Sequence, residues 1–227
     1  KQKQEKLDKE KQKWENKNSK EIITLTEEDI AEVISSWTRI PVKKLTQSEN
    51  EKLRNLEKEL HKRVIGQNEA VDVICKAVKR HQIGLSNPNK PCVSLMVGST
   101  GVGKTFLAKR LAFELFGNEN ELVRLDMSEY SEKTSVTKLY GASSGYIGYD
   151  EGGILTESIK KKPYCVLLLD EIEKAHSDVF NVFLQIFDDG RLTDNKGNVV
   201  NFKNVIIIMT SNVGVDKVCN KSNKIGF

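Results

Sequence analysis

An α/β domain, with a mainly parallel sheet held between helices, is the fold this sequence predicts. Three observations carry the prediction. Short apolar runs alternate with amphipathic segments through the second half of the 227-residue chain. One run, Cys92–Val97, leads through a glycine-rich octapeptide straight into a helical pattern. Another, Tyr164–Leu169, is nearly all apolar, as a strand covered on both faces must be, and it ends in two adjacent acids.

The elements follow in order. Residues 1–20 hold eight lysines against four acids, which is the entire net charge of +4. They read either as the frayed end of a coiled coil, with Leu7 and Trp14 one heptad apart, or as a solvated charged tail. Thr26 stands where a helix cap belongs, and Asp29 where a capping box wants its acceptor. Ile30, Val33, Ile34 and Trp37 continue as one apolar stripe until Pro41. Ser48 and Glu51 repeat the capping pattern before Leu53, Leu56 and Leu60, and a third helix is expected over 67–82.

Beyond the Gly84–Pro91 connection, strands are expected at Cys92–Val97, Leu122–Leu125, Tyr164–Leu169 and Val205–Met209. Helices are expected at Lys104–Phe116 and Asp178–Phe187, and a hairpin over 191–202 turning at Asn195–Gly197. The organisation is therefore a tail over 1–20, a helical lead-in over 21–84 and the α/β domain over 85–227.

Composition excludes several classes. Without the tail the chain is neutral, with 28 basic and 28 acidic residues, so no broad duplex-binding face is indicated. The longest apolar runs are far too short to span a bilayer. The lysine-rich start lacks the apolar stretch of a signal peptide. Cysteines 75, 92, 165 and 219 have no metal-ligand spacing and read as reduced, mostly buried thiols.

Gly98, Ser99, Thr100, Gly101, Val102, Gly103, Lys104 and Thr105 fill the pattern G-x-x-x-x-G-K-[ST] in full, between a strand and a helix. Glycines let backbone N–H groups wrap phosphates, and the helix amino end behind them favours negative charge. Lys104 is the group that reaches the β- and γ-phosphates, and the Thr105 hydroxyl the one that ligates Mg²⁺. Asp170 would hold the same ion through water, and Glu171 would polarise the attacking water as general base. Asn212, in Thr210-Ser211-Asn212 at the end of the fourth strand, either fixes that water or is a simple turn residue.

These pieces, in this order, resemble the AAA+ ATPases, and in detail the second ATPase module of the Clp unfoldases. The resemblance covers residues 22–227. It rests on WTRIPV at 37–42, RVIGQ at 63–67, the phosphate loop, LDMSEY at 125–130, GYIGYDEGG at 145–153, LLLDEIEKAH at 167–176, DDGRLTD at 188–194 and MTSN at 209–212. It implies ATP with Mg²⁺, adenine contacts at Ile40, Val42, Val64 and Ile65, and the sensor position at Asn212. It implies that Tyr146 and Ile147 lie on an axial pore loop gripping polypeptide, with a second, lower loop in DDGRLTDNKGN. Two departures stand out: Arg39 where the family has Gly, which alters the turn carrying the adenine contacts, and Ser99 where it has Pro.

The linker IGLSNP at 83–88, FGNEN at 116–120 and the tripeptide Ile225-Gly226-Phe227 resemble the ClpC type, whose tripeptide docks on a ClpP-type peptidase. The expected function is an ATPase that threads unfolded or tagged polypeptides through the pore of a hexameric ring of its own copies to that peptidase. ClpB-type disaggregation is the alternative, and an assembly module that holds nucleotide without turnover is another. No nucleic acid or membrane partner is expected. No Arg follows Arg191, so the arginine finger and sensor-2 arginine of the family are missing. The chain thus reads as a fragment that binds nucleotide and turns it over feebly. Lysine and asparagine richness with the ClpC likeness implies a plastid-type organelle stroma, a bacterial cytoplasm being the alternative.

Overall fold

The computed structural model describes residues 25, 26, 29, 30, 33, 47–142, 145 and 152–213. Ile40, Val42, Tyr146, Ile147, Ile225, Gly226, Phe227 and the 1–20 tail lie outside the described residues. The chain divides into two compact units, Lys1–Lys44 and Leu45–Phe227. In the first, the expected capping box forms. Thr26 N–H and hydroxyl donate to Asp29 Oδ2 at 2.9 and 2.7 Å, and Asp29 N–H donates to Thr26 Oγ1 at 3.3 Å.

The second unit opens with helices α1 (Gln47–Arg63) and α2 (Asn68–Gln82). Leu56 and Leu60 on α1, and Val71, Ile74, Cys75 and Val78 on α2, are buried at helical spacing. His61 Nε2 meets Asp72 Oδ1 at 2.8 Å and Lys79 meets Glu57 at 2.9 Å, tying the two helices across their solvent side. Then come β1 (Cys92–Val97), α3 (Lys104–Phe116), β2 (Leu122–Asp126), α4 (Lys133–Tyr140), α5 (Ile154–Lys161), β3 (Val166–Asp170), α6 (Ser177–Asp189), the hairpin strands β4 (Arg191–Thr193) and β5 (Val199–Asn201), and β6 (Ile206–Ser211).

The main sheet is parallel throughout, in the order β1-β6-β3-β2. The pleat sends alternate side chains to opposite faces. Val166, Leu168, Ile206 and Ile208 pack with Leu56, Leu60, α2 and α3 on one face. Leu167, Leu169 and Ile207 pack with Leu139, Leu155, Ile159, Phe183 and Phe202 on the other. Helices α1 and α2 thus share the α/β core.

From α1 onward the expected strands and helices appear with ends shifted by one or two residues, as hydrogen-bond continuity decides them, whereas Ile34, Trp37 and Pro41 of the first expected helix lie outside the described residues. The third strand starts at Val166 rather than Tyr164, and the fourth runs on to Ser211. Helices α4 and α5 were not read from sequence. Each is only eight residues, about two turns, too short for an apolar repeat to stand out. The three described thiols are buried as expected, Cys219 lying outside the described residues: burial pushes Cys75 and Cys92 up to about 11 and Cys165 up to about 12.

The stretch between α4 and α5 leaves and returns at one place. A Cβ on Gly153 would meet Leu139 O at 2.3 Å and the Tyr140 backbone at 2.4 Å, so only glycine lets the two ends touch. The β4–β5 hairpin is fastened to the same spot. Asn195 N–H donates to Tyr140 O at 3.0 Å and its side-chain amide to Ala142 O at 2.8 Å. Asp194 locks the turn. Its Oδ1 accepts from the N–H groups of Lys196 and Asn198 at 2.9 and 2.7 Å, and its Oδ2 from Lys160 of α5 at 2.6 Å and from the Asn198 amide at 3.0 Å.

Burial by itself would raise the Asp194 pKa, but the Lys160 ammonium and the Asn198 and Lys196 donors outweigh it and hold the carboxyl far below its usual range. A depressed folded-state pKa contributes stability that is complete above the unfolded value and lost as pH falls toward the folded one. Replacing Asp194 by Ala is therefore expected to destabilise the chain by about 1.5–3 kcal/mol at neutral pH. In urea titrations the gap from wild type should narrow progressively below pH ~4.

Candidate nucleotide site

Three strand ends build the site. Gly98 follows β1, Asp170 ends β3 and Ser211 ends β6. Since β6 pairs with β1 on one side and β3 on the other, Asn212 emerges between the glycine loop and the acid pair. Gly98 N–H donates to Ser211 O at 3.1 Å, which pins the loop to the β6 end.

The loop turns sharply into α3. Gly101 (φ 84°) and Gly103 (φ 96°) occupy the left-handed region that favours glycine. Gly103 supplies no side-chain cap to α3, and the first turn carries no acid. The amino end of the helix therefore presents its backbone N–H groups and positive dipole without an internal counter-charge. Lys104 Nζ reaches back into the loop. It donates to Gly98 O (2.5 Å), Ser99 O (3.2 Å), Ser211 O (3.3 Å) and Asn212 Oδ1 (2.6 Å).

On the acid side, Thr105 Oγ1 lies 3.4 Å from Asp170 Oδ2, a pair of hard oxygen donors of the kind Mg²⁺ takes. Thr210 hydroxyl donates to Asp170 Oδ1 at 2.5 Å. The Asn212 amide donates to Glu171 Oε1 at 3.4 Å, while Lys174 pairs with Glu171 Oε2 at 2.5 Å. Lys104, Asn212 and Glu171 thus form one chain of contacts. The oxygens of Thr105 and Asp170, the Lys104 ammonium and the uncapped helix end are a donor set that fits a metal–triphosphate.

The structure brings Lys104, Thr105, Asp170, Glu171 and Asn212 together, as expected from their motifs. Gln67 adds a link from RVIGQ, its amide donating to Val102 O of the glycine loop at 3.3 Å. Of the two described residues expected on the adenine side, Val64 is buried in the core and Ile65 is 89% exposed.

Sequence reasoning missed four neighbours. Arg124 Nη2 meets Asp170 Oδ2 at 2.8 Å. Its only trace in sequence is the polar break in LVRLD, and the β2–β3 register was needed to bring it alongside. Thr210 and Lys174 stand inside quoted motifs but were given no role. Glu173 Oε1 accepts the Asn212 N–H at 2.9 Å and fixes that backbone. Burial opposes its ionisation, but the Asn212 N–H leads the donors that hold the carboxyl below its usual range.

A parallel sheet whose adjacent strand ends carry such groups is the arrangement of P-loop nucleoside triphosphatases, and fold and site assign the chain to that class. A family model described as "AAA domain (Cdc48 subfamily)" matches residues 90–225. The chain belongs to this AAA family and is a module of the Clp type. It is 61% identical over 195 residues to a chaperone protein ClpB of Gloeobacter violaceus, covering 86% of this chain and 22% of that protein. It is 54% identical over 216 residues to an ATP-dependent Clp protease ATP-binding subunit ClpA homolog of Guillardia theta (95% and 26%). It is 55% identical over 219 residues to the negative regulator of genetic competence ClpC/MecB of Bacillus subtilis (96% and 27%). The chain therefore spans about a quarter of the length of these relatives.

Glu171 is the one described non-glycine residue with positive φ (φ 56°, ψ 52°). A side chain there costs about 1–2 kcal/mol, and the half-exposed ion pair with Lys174 returns little of it. Glu171→Gly should raise the unfolding free energy by about 0.5–1 kcal/mol, a gain read by denaturant unfolding.

Proposed function

We propose that the chain is the ATP-hydrolysing module of a ring-forming Clp unfoldase that threads unfolded or tagged polypeptide through its pore, towards a ClpP-type peptidase. The single observation that carries the nucleotide half is the contact chain from Lys104 through Asn212 to Glu171, with Asp170 and Thr105 beside it. Residues 98–105 hold the phosphates of ATP, with Lys104 neutralising the terminal ones. Thr105 and Asp170 hold Mg²⁺, which when bound offsets negative charge on the phosphate oxygens. Glu171 takes the proton of the attacking water and Asn212 orients that water. Ile40, Val42, Val64 and Ile65 flank the adenine.

The threading half is supported by the stem at Leu139, Tyr140 and Gly153. The two ends of the segment that carries Tyr146 and Ile147 meet there, and the turn of the β4–β5 hairpin docks on the same backbone through Asn195. A glycine-bounded aromatic on a pinned stem suits a side chain that grips polypeptide. Ile225-Gly226-Phe227 is the proposed peptidase-docking element. The higher identity to a ClpB-named relative favours a second reading, disaggregation without a peptidase. Hexameric assembly and a plastid-type stroma, or a bacterial cytoplasm, complete the proposal.

Two experiments test it. Lys104→Ala should abolish binding of a fluorescent ATP analogue. Glu171→Gln should keep binding and slow hydrolysis by about 10²–10⁴; turnover at the wild-type rate in both variants would end the nucleotide assignment. In the assembled full-length ring, Phe227→Ala should lose coupled proteolysis of a folded reporter while still unfolding it. Burying one such side chain contributes about 1.5–3 kcal/mol, multiplied in effect by a ring of loops. Unimpaired proteolysis would move the disaggregase reading to first place.

A further inference from the structure

We propose that Thr210 is a positioning residue for the Asp170–Glu171 pair, acting through one buried hydroxyl. Thr210 is 1% exposed and stands one step past the last β3–β6 pair, Leu169 with Met209. Its Oγ1 donates to Asp170 Oδ1 at 2.5 Å and accepts the Glu171 N–H at 3.0 Å. A hydroxyl has a single proton, so donation to the carboxylate commits the rotor and turns a lone pair to the amide. One atom thereby sets two things at once.

The first is the rotation of the Asp170 carboxyl. With Oδ1 held from β6, Oδ2 faces Thr105 Oγ1 at 3.4 Å and Arg124 Nη2 at 2.8 Å. The second is the left-handed backbone of Glu171, whose N–H would otherwise be left without an acceptor in a half-buried place. That backbone aims the Glu171 carboxylate at Asn212. A serviceable core threonine would need only its methyl and its shape. The hydroxyl is what separates a positioning role from a packing role. The inference rests on the nucleotide reading above and deepens it, because the metal side of the site is then set from β6 rather than from the acid strand alone.

The test uses the whole chain with Thr210→Val, which keeps the shape and removes the hydroxyl, and Thr210→Ser, which keeps the hydroxyl. Amide hydrogen exchange at Glu171, measured without nucleotide, should be about tenfold faster in the Val variant and within about twofold of wild type in the Ser variant. The Mg²⁺ concentration for half-maximal binding of N-methylanthraniloyl-ATP should rise about tenfold for Val, the loss expected for one bond to a charged group, and stay near wild type for Ser. Val and wild type alike in both readouts would overturn the proposal. If the Val variant loses its cooperative melt, Thr210→Ala against Thr210→Ser decides, since those two differ only by the hydroxyl. Equal exchange and equal Mg²⁺ dependence in that pair would overturn it as well. A wild-type chain that binds no nucleotide would sink the nucleotide reading and with it the Mg²⁺ part, whereas the exchange arm would still report on the Thr210–Glu171 bond itself.

Discussion

The pairing of β6 between β1 and β3 is the constraint on which the rest of this molecule depends. It brings the ends of three strands that are far apart in sequence to one edge of the sheet. The glycine loop, the acid pair and Asn212 are neighbours only because Val97 lies beside Ser211 and Leu169 beside Met209. A slip of one residue in either ladder would send each of these side chains to the opposite face. The apolar interiors of β3 and β6, buried on both faces, hold that register in place.

The site stores its strain at one residue. Glu171 is kept left-handed by contacts that converge on it from β6, from Asn212 and from Lys174. Such a conformation persists only where the surroundings over-determine it. Meanwhile Asp170, almost fully buried, is satisfied by Thr210, Arg124 and Thr105, so its own charge is compensated. The two adjacent acids are thus held differently: Asp170 is bonded on several sides, and Glu171 is fixed through its backbone.

A second node stands away from the nucleotide edge. Asp194, Asn195 and Lys160 join the β4–β5 hairpin to α5 and to the Tyr140–Ala142 backbone. A displacement of either connected segment therefore acts on the other through one charge-assisted bond and two amide bonds. The close approach at Gly153 leaves no slack at the base.

Much of this was legible in the residues themselves. The strands, the long helices and the hairpin follow from apolar period and turn chemistry, which are local properties. The phosphate motif and the Asp170–Glu171 pair announce their chemistry because their spacing is short and their residue types are few. Helices α4 and α5 escaped because eight residues hold too little periodicity. Arg124, Thr210 and Glu173 escaped for a different reason. Each is an ordinary polar residue whose meaning comes from which strand lies beside it, and strand order is a property of long-range pairing. The sequence by itself determined that this chain carries a glycine-rich phosphate-loop motif, an apolar strand ending in two acids and the elements of a parallel α/β domain. Only the tertiary structure decided that β6 separates the two halves of the site. That is because packing of the whole core, not any local propensity, selects the order and register in which parallel strands meet.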